Sequence, residues 1–220
     1  MIEIDELIRS KRKTLSVSVN ALGKVTVRAP LRATQKEIER FLTTHEQWIA
    51  KKKSTAKESG VRLPQNGIVG YKLLLLGNEY ELCLHAQTRV VVDGENKRLY
   101  LPEKNTEKHL IRWLKDNALR ICKQAVEKQS ARMGVSPVSV SVTSARSFWG
   151  ICTEKNELRF SYRLLYVPKA VFEYVIVHEL AHIQYKNHSR AFWDEVAKFE
   201  PNWKEKRAYL KTHALLMRVF

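Results

Sequence analysis

The sequence predicts an α+β fold: a β-rich first half carrying one helix, then a second half organised around a buried helix. Three observations carry that prediction. Hydrophobic residues make up 44% of the 220, enough for a packed core and too many for a disordered chain. Up to residue 103 the chain reads mainly as period-two runs broken by Gly, Asn and Asp. Beyond it, apolar residues recur at helical spacing over long stretches, so the boundary is drawn between residues 1–103 and 104–220.

Thr14-Leu-Ser-Val-Ser-Val19 alternates, Asn20-Ala-Leu-Gly23 turns, and Lys24-Val-Thr-Val-Arg28 returns before Pro30 stops the hairpin. Thr34 followed by Glu37 is a capping box. Ile38, Phe41, Leu42, His45, Trp48 and Ile49 mark the apolar stripe of one helix reaching about Lys53. Residues 54–70 have the composition of a linker. Two hairpins follow, Tyr71–Leu76 with Glu79–His85 and Arg89–Val92 with Lys97–Leu101, turning at Gly77-Asn78 and Asp93-Gly94.

In the second half, Leu110, Ile111, Leu114, Ala118, Ile121, Cys122, Ala125 and Val126 recur at helical spacing in a helix from about Thr106 to Met133, which Gly134 stops. Val138–Ser144, Ser147–Thr153 and Leu158–Leu164 read as three strands, the last pair turning at Glu154-Lys-Asn156. Pro168 can begin the next helix, which runs through Val171–Val177 into His178-Glu-Leu-Ala-His182. Two shorter helices, near Arg190–Phe199 and Trp203–Leu216, close the chain.

Lys and Arg number 39 against 23 Asp and Glu, a net charge of +16. The excess is spread along the chain, since residues 1–62 hold 14 basic and 7 acidic side chains. It makes nucleic acid a candidate partner, although no nucleic-acid motif accompanies it and a solvated basic face explains it as well. No apolar run approaches the ~20 residues of a membrane span, and the acidic start is unlike a signal peptide. The three cysteines are far apart and never form a Cys-x-x-Cys pair. That spacing excludes a disulfide framework and an all-cysteine metal site, and a reducing cytoplasm is the expected location.

His178-Glu179-Leu180-Ala181-His182 is the stretch that carries chemistry. On a helix, residues four apart differ by ~40° in azimuth and ~6 Å in rise, so both imidazoles face one point. Two neutral imidazoles so placed can share one Zn²⁺. Glu179, rotated by ~100°, lies beside the metal, where a carboxylate can move a proton from metal-bound water to a leaving amine. With seven His in the chain, an accidental His-Glu-x-x-His is expected only roughly 0.02 times. A lone buried histidine is most simply a hydrogen-bonded core residue, but that explanation does not cover two on one face.

A catalytic site needs a third ligand and an open position. His188 is preferred because the hairpin needed is short, with Asn187 turning the chain back in a left-handed conformation. Glu195 and Glu200, on the next helix, are its rivals. Ser189 caps that helix, whose Phe192, Trp193, Val196 and Phe199 read as core.

The string from His178 to Trp193 resembles the signature of the YgjP-like metallopeptidases, relatives of the SprT-like zinc proteases. Arg146-Ser-Phe-Trp-Gly-Ile-Cys152, Ser161-Tyr-Arg-Leu-Leu-Tyr-Val-Pro168, Arg12-Lys-Thr-Leu-Ser-Val17 and Val27-Arg-Ala-Pro30 extend the resemblance over nearly the whole chain. It implies a zincin-like catalytic half with an active-site helix. It also implies His178, His182 and His188 as metal ligands and Glu179 as general base. Phe148 and Ile151 stand where that family usually has Arg and Ser, so its substrate contacts there are not carried over. Tyr185, three residues after the second histidine, replaces the Gly of metzincins and argues against that clan.

The leading expectation is a zinc-dependent metallopeptidase acting on a protein or peptide, with metal-bound water activated by Glu179. The alternatives are a zinc-stabilised basic module docked on nucleic acid and a metal-binding relative with little catalysis, against which an intact Glu179 counts. An oxyanion helper is expected too, with Tyr185, Arg146 and Tyr162 as candidates.

Overall fold

In the computed structural model, which describes residues 2–19, 23–58 and 67–220, the chain divides at a different place from the one the sequence suggests. One unit is Met1–Arg62 with Lys211–Leu215, and the other is Leu63–Leu210 with Leu216–Phe220. The reason is packing: the strands between residues 72 and 102 close onto the helices that follow them.

The first unit is a three-stranded sheet and two helices: β1 (Glu6–Ser10), β2 (Ser16–Val19), β3 (Val25–Pro30), α1 (Gln35–Thr44) and α2 (Glu46–Glu58). The expected hairpin is β2 antiparallel to β3, and β1 adds to the other side of β3 in parallel. The proposed turn at 20–23 lies mostly outside the described residues. Alternation puts Val25, Val27 and Ala29 into the core beneath Ile38, Leu42 and Ile49. The capping box is present, with Thr34 N–H donating to Glu37 at 2.7 Å and Glu37 N–H to the Thr34 hydroxyl at 3.3 Å.

One helix to Lys53 was expected, and two are found. Thr43 and Thr44 turn their hydroxyls back to the carbonyls of Glu39 and Arg40, and the His45 ring bonds the Phe41 carbonyl at 2.8 Å. That local competition interrupts the helix at His45. α2 then runs into the expected linker as far as Glu58; residues 59–66 of that linker lie outside the described residues.

The second unit begins with both predicted hairpins, β4 (Lys72–Leu75) with β5 (Asn78–His85) and β6 (Val91–Asp93) with β7 (Arg98–Pro102). Parallel pairing of β5 with β7 joins them in the order β4-β5-β7-β6. α3 (Thr106–Met133) buries Leu110, Leu114, Ala118, Cys122 and Val126, and ends on Gly134 at φ 64°. A left-handed residue there costs glycine nothing.

β8 (Ser139–Thr143), β9 (Gly150–Cys152) and β10 (Glu157–Ser161) form a second sheet in the order β8-β10-β9, which leaves β9 at an edge. β10 stops three residues earlier than expected. The Ser161 hydroxyl caps a 3-10 turn over Tyr162–Tyr166, and buried Arg163 donates to the carbonyls of Ser144 (3.0 Å), Val219 (3.1 Å) and Phe220. A buried guanidinium needs such acceptors, and an extended strand would carry it out of their reach.

α4 (Lys169–Ala181), α5 (Arg190–Phe199) and α6 (Trp203–Thr212) follow, then a 3-10 turn at Ala214–Arg218. α4 packs on α3, α5 and β9. The fold is α+β as read from the sequence, and a sheet edge laid against the motif-bearing helix is the make-up expected of a zincin-like half. Among the described residues no helix is long and apolar enough to cross a membrane.

Candidate metal centre

α4 is apolar nearly all round, burying Val171, Phe172, Tyr174, Val175, Ile176, Val177, Leu180 and Ala181, so tertiary packing fixes it. His178 occupies its last turn and His182 is its C-terminal cap. The chain then tightens, with Ile183 N–H bonding Leu180 O and Tyr185 N–H bonding Ala181 O. Asn187 turns the chain without the left-handed conformation expected of it, because its side chain accepts the Ser189 N–H at 3.2 Å. Ser189 then caps α5, accepting from Phe192 N–H. Lys186 ties this loop to the β9–β10 turn through the Thr153 carbonyl (3.2 Å) and Asn156 (2.5 Å).

The result brings His178, His182 and His188 together, one nitrogen of each lying within 4.8 Å of the others. His182 Nδ1 is 2.9 Å from the Tyr185 carbonyl. A carbonyl only accepts, so Nδ1 carries the proton and Nε2 keeps its lone pair. Tyr174 OH faces His178 Nδ1 at 3.5 Å, leaving Nε2 to face inward. His178 Nε2 and His188 Nε2 are 3.2 Å apart. That matches the ~3.3 Å edge of a tetrahedron whose metal–nitrogen bonds are 2.0–2.1 Å. Burial depresses all three imidazoles, His178 to about 3, and so holds them in the neutral form a metal requires. The donor set fits a borderline-soft divalent metal.

Glu195 and Glu200 do not join the cluster. Glu195 bonds Lys198 at 2.6 Å and Glu200 bonds Lys206. Of the oxyanion candidates, Tyr162 is committed to the Phe220 carbonyl at 2.9 Å, and Arg146 is exposed. Tyr185 serves through its carbonyl.

Glu179 is 6% exposed and lies against β9. Burial pushes its carboxyl up to about 8, against the pull of the Cys152 N–H that donates to it. Gly150 is what admits it, because a Cβ there would stand 2.7 Å from Glu179 Cγ and 2.9 Å from Oε1. A carboxyl brought near neutrality and set beside the histidines is equipped to take and return a proton.

Sequence reasoning missed the aromatic frame. Phe192 is fully buried as core, yet it also stacks on His182 (centroids 4.4 Å, 26°) and presents its edge to His178 and His188. Trp193 stacks on His188 (5.4 Å, 24°) and on Trp203 (4.1 Å, 15°), with Arg207 over its ring at 4.9 Å. The adjacency of Phe192 and Trp193 to Ser189 on a capped helix was the available signal, since the cap turns that first turn toward the preceding histidine.

A family model described as YgjP-like, metallopeptidase domain, matches residues 13–213. A comparison with curated proteins gives no match. Among solved structures, the metallopeptidase zymogen of Pyrococcus abyssi abylysin is similar at 22% identity and TM-score 0.39, covering 41% of this chain and 92% of that one. The family match spans the first hairpin, the two sheets of the second unit and all three histidines, and with it the chain belongs to the YgjP-like family of metallopeptidases.

Proposed function

We propose that this metallopeptidase uses zinc, held by His178, His182 and His188, and that Glu179 is its general base. The observation that supports this most strongly is the convergence of three neutral imidazoles beside one buried, near-neutral carboxyl. Zinc held by these three imidazoles would supply Lewis-acid polarisation of the scissile carbonyl and would make a water easier to deprotonate. Glu179 takes the proton of the attacking water on a carboxylate oxygen and returns it to the leaving amine. The Cys152 N–H and the packing at Gly150 hold that carboxylate in place. Phe192 shields the imidazoles on the core side.

The substrate is an extended peptide. Trp149 pairs with Ser161, and Thr153 with Glu157, through backbone hydrogen bonds, so by alternation Ile151 faces β10 while Gly150 and Cys152 face the free edge. Gly150 and the Cys152 carbonyl can add a substrate strand there. Protein purified without a histidine tag is the test material. Zinc should be present near one equivalent, a chelator should stop cleavage of unfolded casein, and added Zn²⁺ should restore it. Undiminished cleavage by zinc-free protein would overturn the zinc assignment.

A further inference from the structure

Arg207 projects from α6 as an exposed cation with no ion pair or hydrogen-bonded partner among the described residues. It is nevertheless held: its guanidinium lies 4.9 Å from the Trp193 ring, inside the range of a cation–π contact. Trp193 is in turn fixed by Trp203 and by the His188 ring, and lies 5.7 Å from His178. Glu179 is buried and turned toward β9. Asp194, on the neighbouring helix, faces Arg190 at 3.8 Å instead. Among the described residues, then, no carboxylate is paired with Arg207 at this face of the site.

We propose that Arg207 recognises a carboxylate of the peptide substrate close to the scissile bond, with Trp193 holding the guanidinium ready for it. The proposal rests on the peptidase reading above. A guanidinium presents paired donors to a carboxylate, and one already packed on an indole loses less freedom on binding than a free side chain. The carboxylate can be the α-carboxylate of a chain end or the side chain of Asp or Glu, and the two are separable by experiment.

The test uses peptide pairs that differ by one group, a C-terminal acid against its amide, and Glu against Gln at each position flanking the cut. Wild type should cleave the acidic member of at least one series with roughly tenfold higher kcat/KM, as a charge-assisted contact gives. The pair that shows it identifies the source of the carboxylate. Arg207→Met should bring that ratio close to one with zinc content as in wild type, while Arg207→Lys should keep part of it. Equal rates for both members in wild type would overturn the proposal. So would an Arg207→Met protein that is slower but keeps the ratio, because Arg207 would then only support Trp193. A binding arm separates this from failure of the peptidase reading. In zinc-loaded Glu179→Gln, the acidic peptide should shift the NMR signal of Arg207 Nε–H, assigned by its loss in Arg207→Met, and the amide or Gln partner should not. A shift without cleavage by wild type would keep carboxylate recognition and overturn the peptidase reading; no shift would overturn the recognition.

Discussion

Replacing Gly150 with alanine tests how closely the general base is held. The added Cβ would meet Glu179 Cγ at 2.7 Å, Glu179 Oε1 at 2.9 Å and Phe160 Cδ1 at 3.0 Å. Carbon atoms pack at about 3.5 Å or more, so the deficit is roughly 0.8 Å. Phe160 is fully buried and cannot retreat, which leaves Glu179 or the β9 edge to move. Overpacking of this kind costs about 1–3 kcal/mol, or a fall in Tm of about 2–12 °C for a chain of this size. A displacement near 1 Å in a catalytic group costs on the order of 10²-fold in rate. The three atoms nearest the added Cβ belong to Glu179 and Phe160 and not to an imidazole, so zinc content should hold. Casein cleavage, thermal melting and metal analysis on one preparation separate these effects. Wild-type kcat in Gly150→Ala would refute the idea that this contact sets the position of Glu179.

His188→Ala should weaken zinc binding by on the order of 10²-fold or more, because it removes one of three ligands; competition with a chromogenic chelator measures it. Full zinc retention would move the third ligand elsewhere. Phe148→Arg should leave zinc content unchanged and alter only which peptides are cut, as read by profiling a peptide library before and after the change. Alkaline pH should destabilise the fold. Burial pushes the Cys122 thiol up to about 12 and Tyr174 to about 12. Groups whose folded pKa is raised give stability that is complete below their unfolded values, about 9 and 10, and is lost as pH climbs toward 12. Cys122 alone should contribute a slope of about 1.4 kcal/mol per pH unit, so the urea midpoint of Cys122→Ala should fall less steeply from pH 9 to 10. Equal slopes would contradict this.

Local signals were legible wherever one stretch of chain determines its own structure. The Thr34 and Glu37 cap, the Gly134 stop of α3 and the His178/His182 face follow from spacing and backbone preference, and all three are present. What was missed depends on partners distant in sequence. β1 has few apolar residues and is a strand because β3 offers it a parallel edge. Tyr162–Leu164 reads as the end of a strand by composition, but Arg163 is drawn to carbonyls 56 and 57 residues on. The division of the chain follows from the β4–β5 turn bonding Leu165 through Leu76 N–H, a contact no composition shift announces. Arg207 and Trp203 reach the histidines only through the packing of α5 against α4, so no motif spacing could have included them.

The central claim is that Glu179 moves protons and does not bind the metal, and Glu179→Gln tests it most directly. The amide nearly matches the carboxylate in shape and can still accept the Cys152 N–H, but it is no base at neutral pH. The account predicts one equivalent of zinc, an unchanged fold and a loss of casein cleavage of ~10²–10⁴-fold. Cleavage by the zinc-loaded variant at the wild-type rate would contradict it.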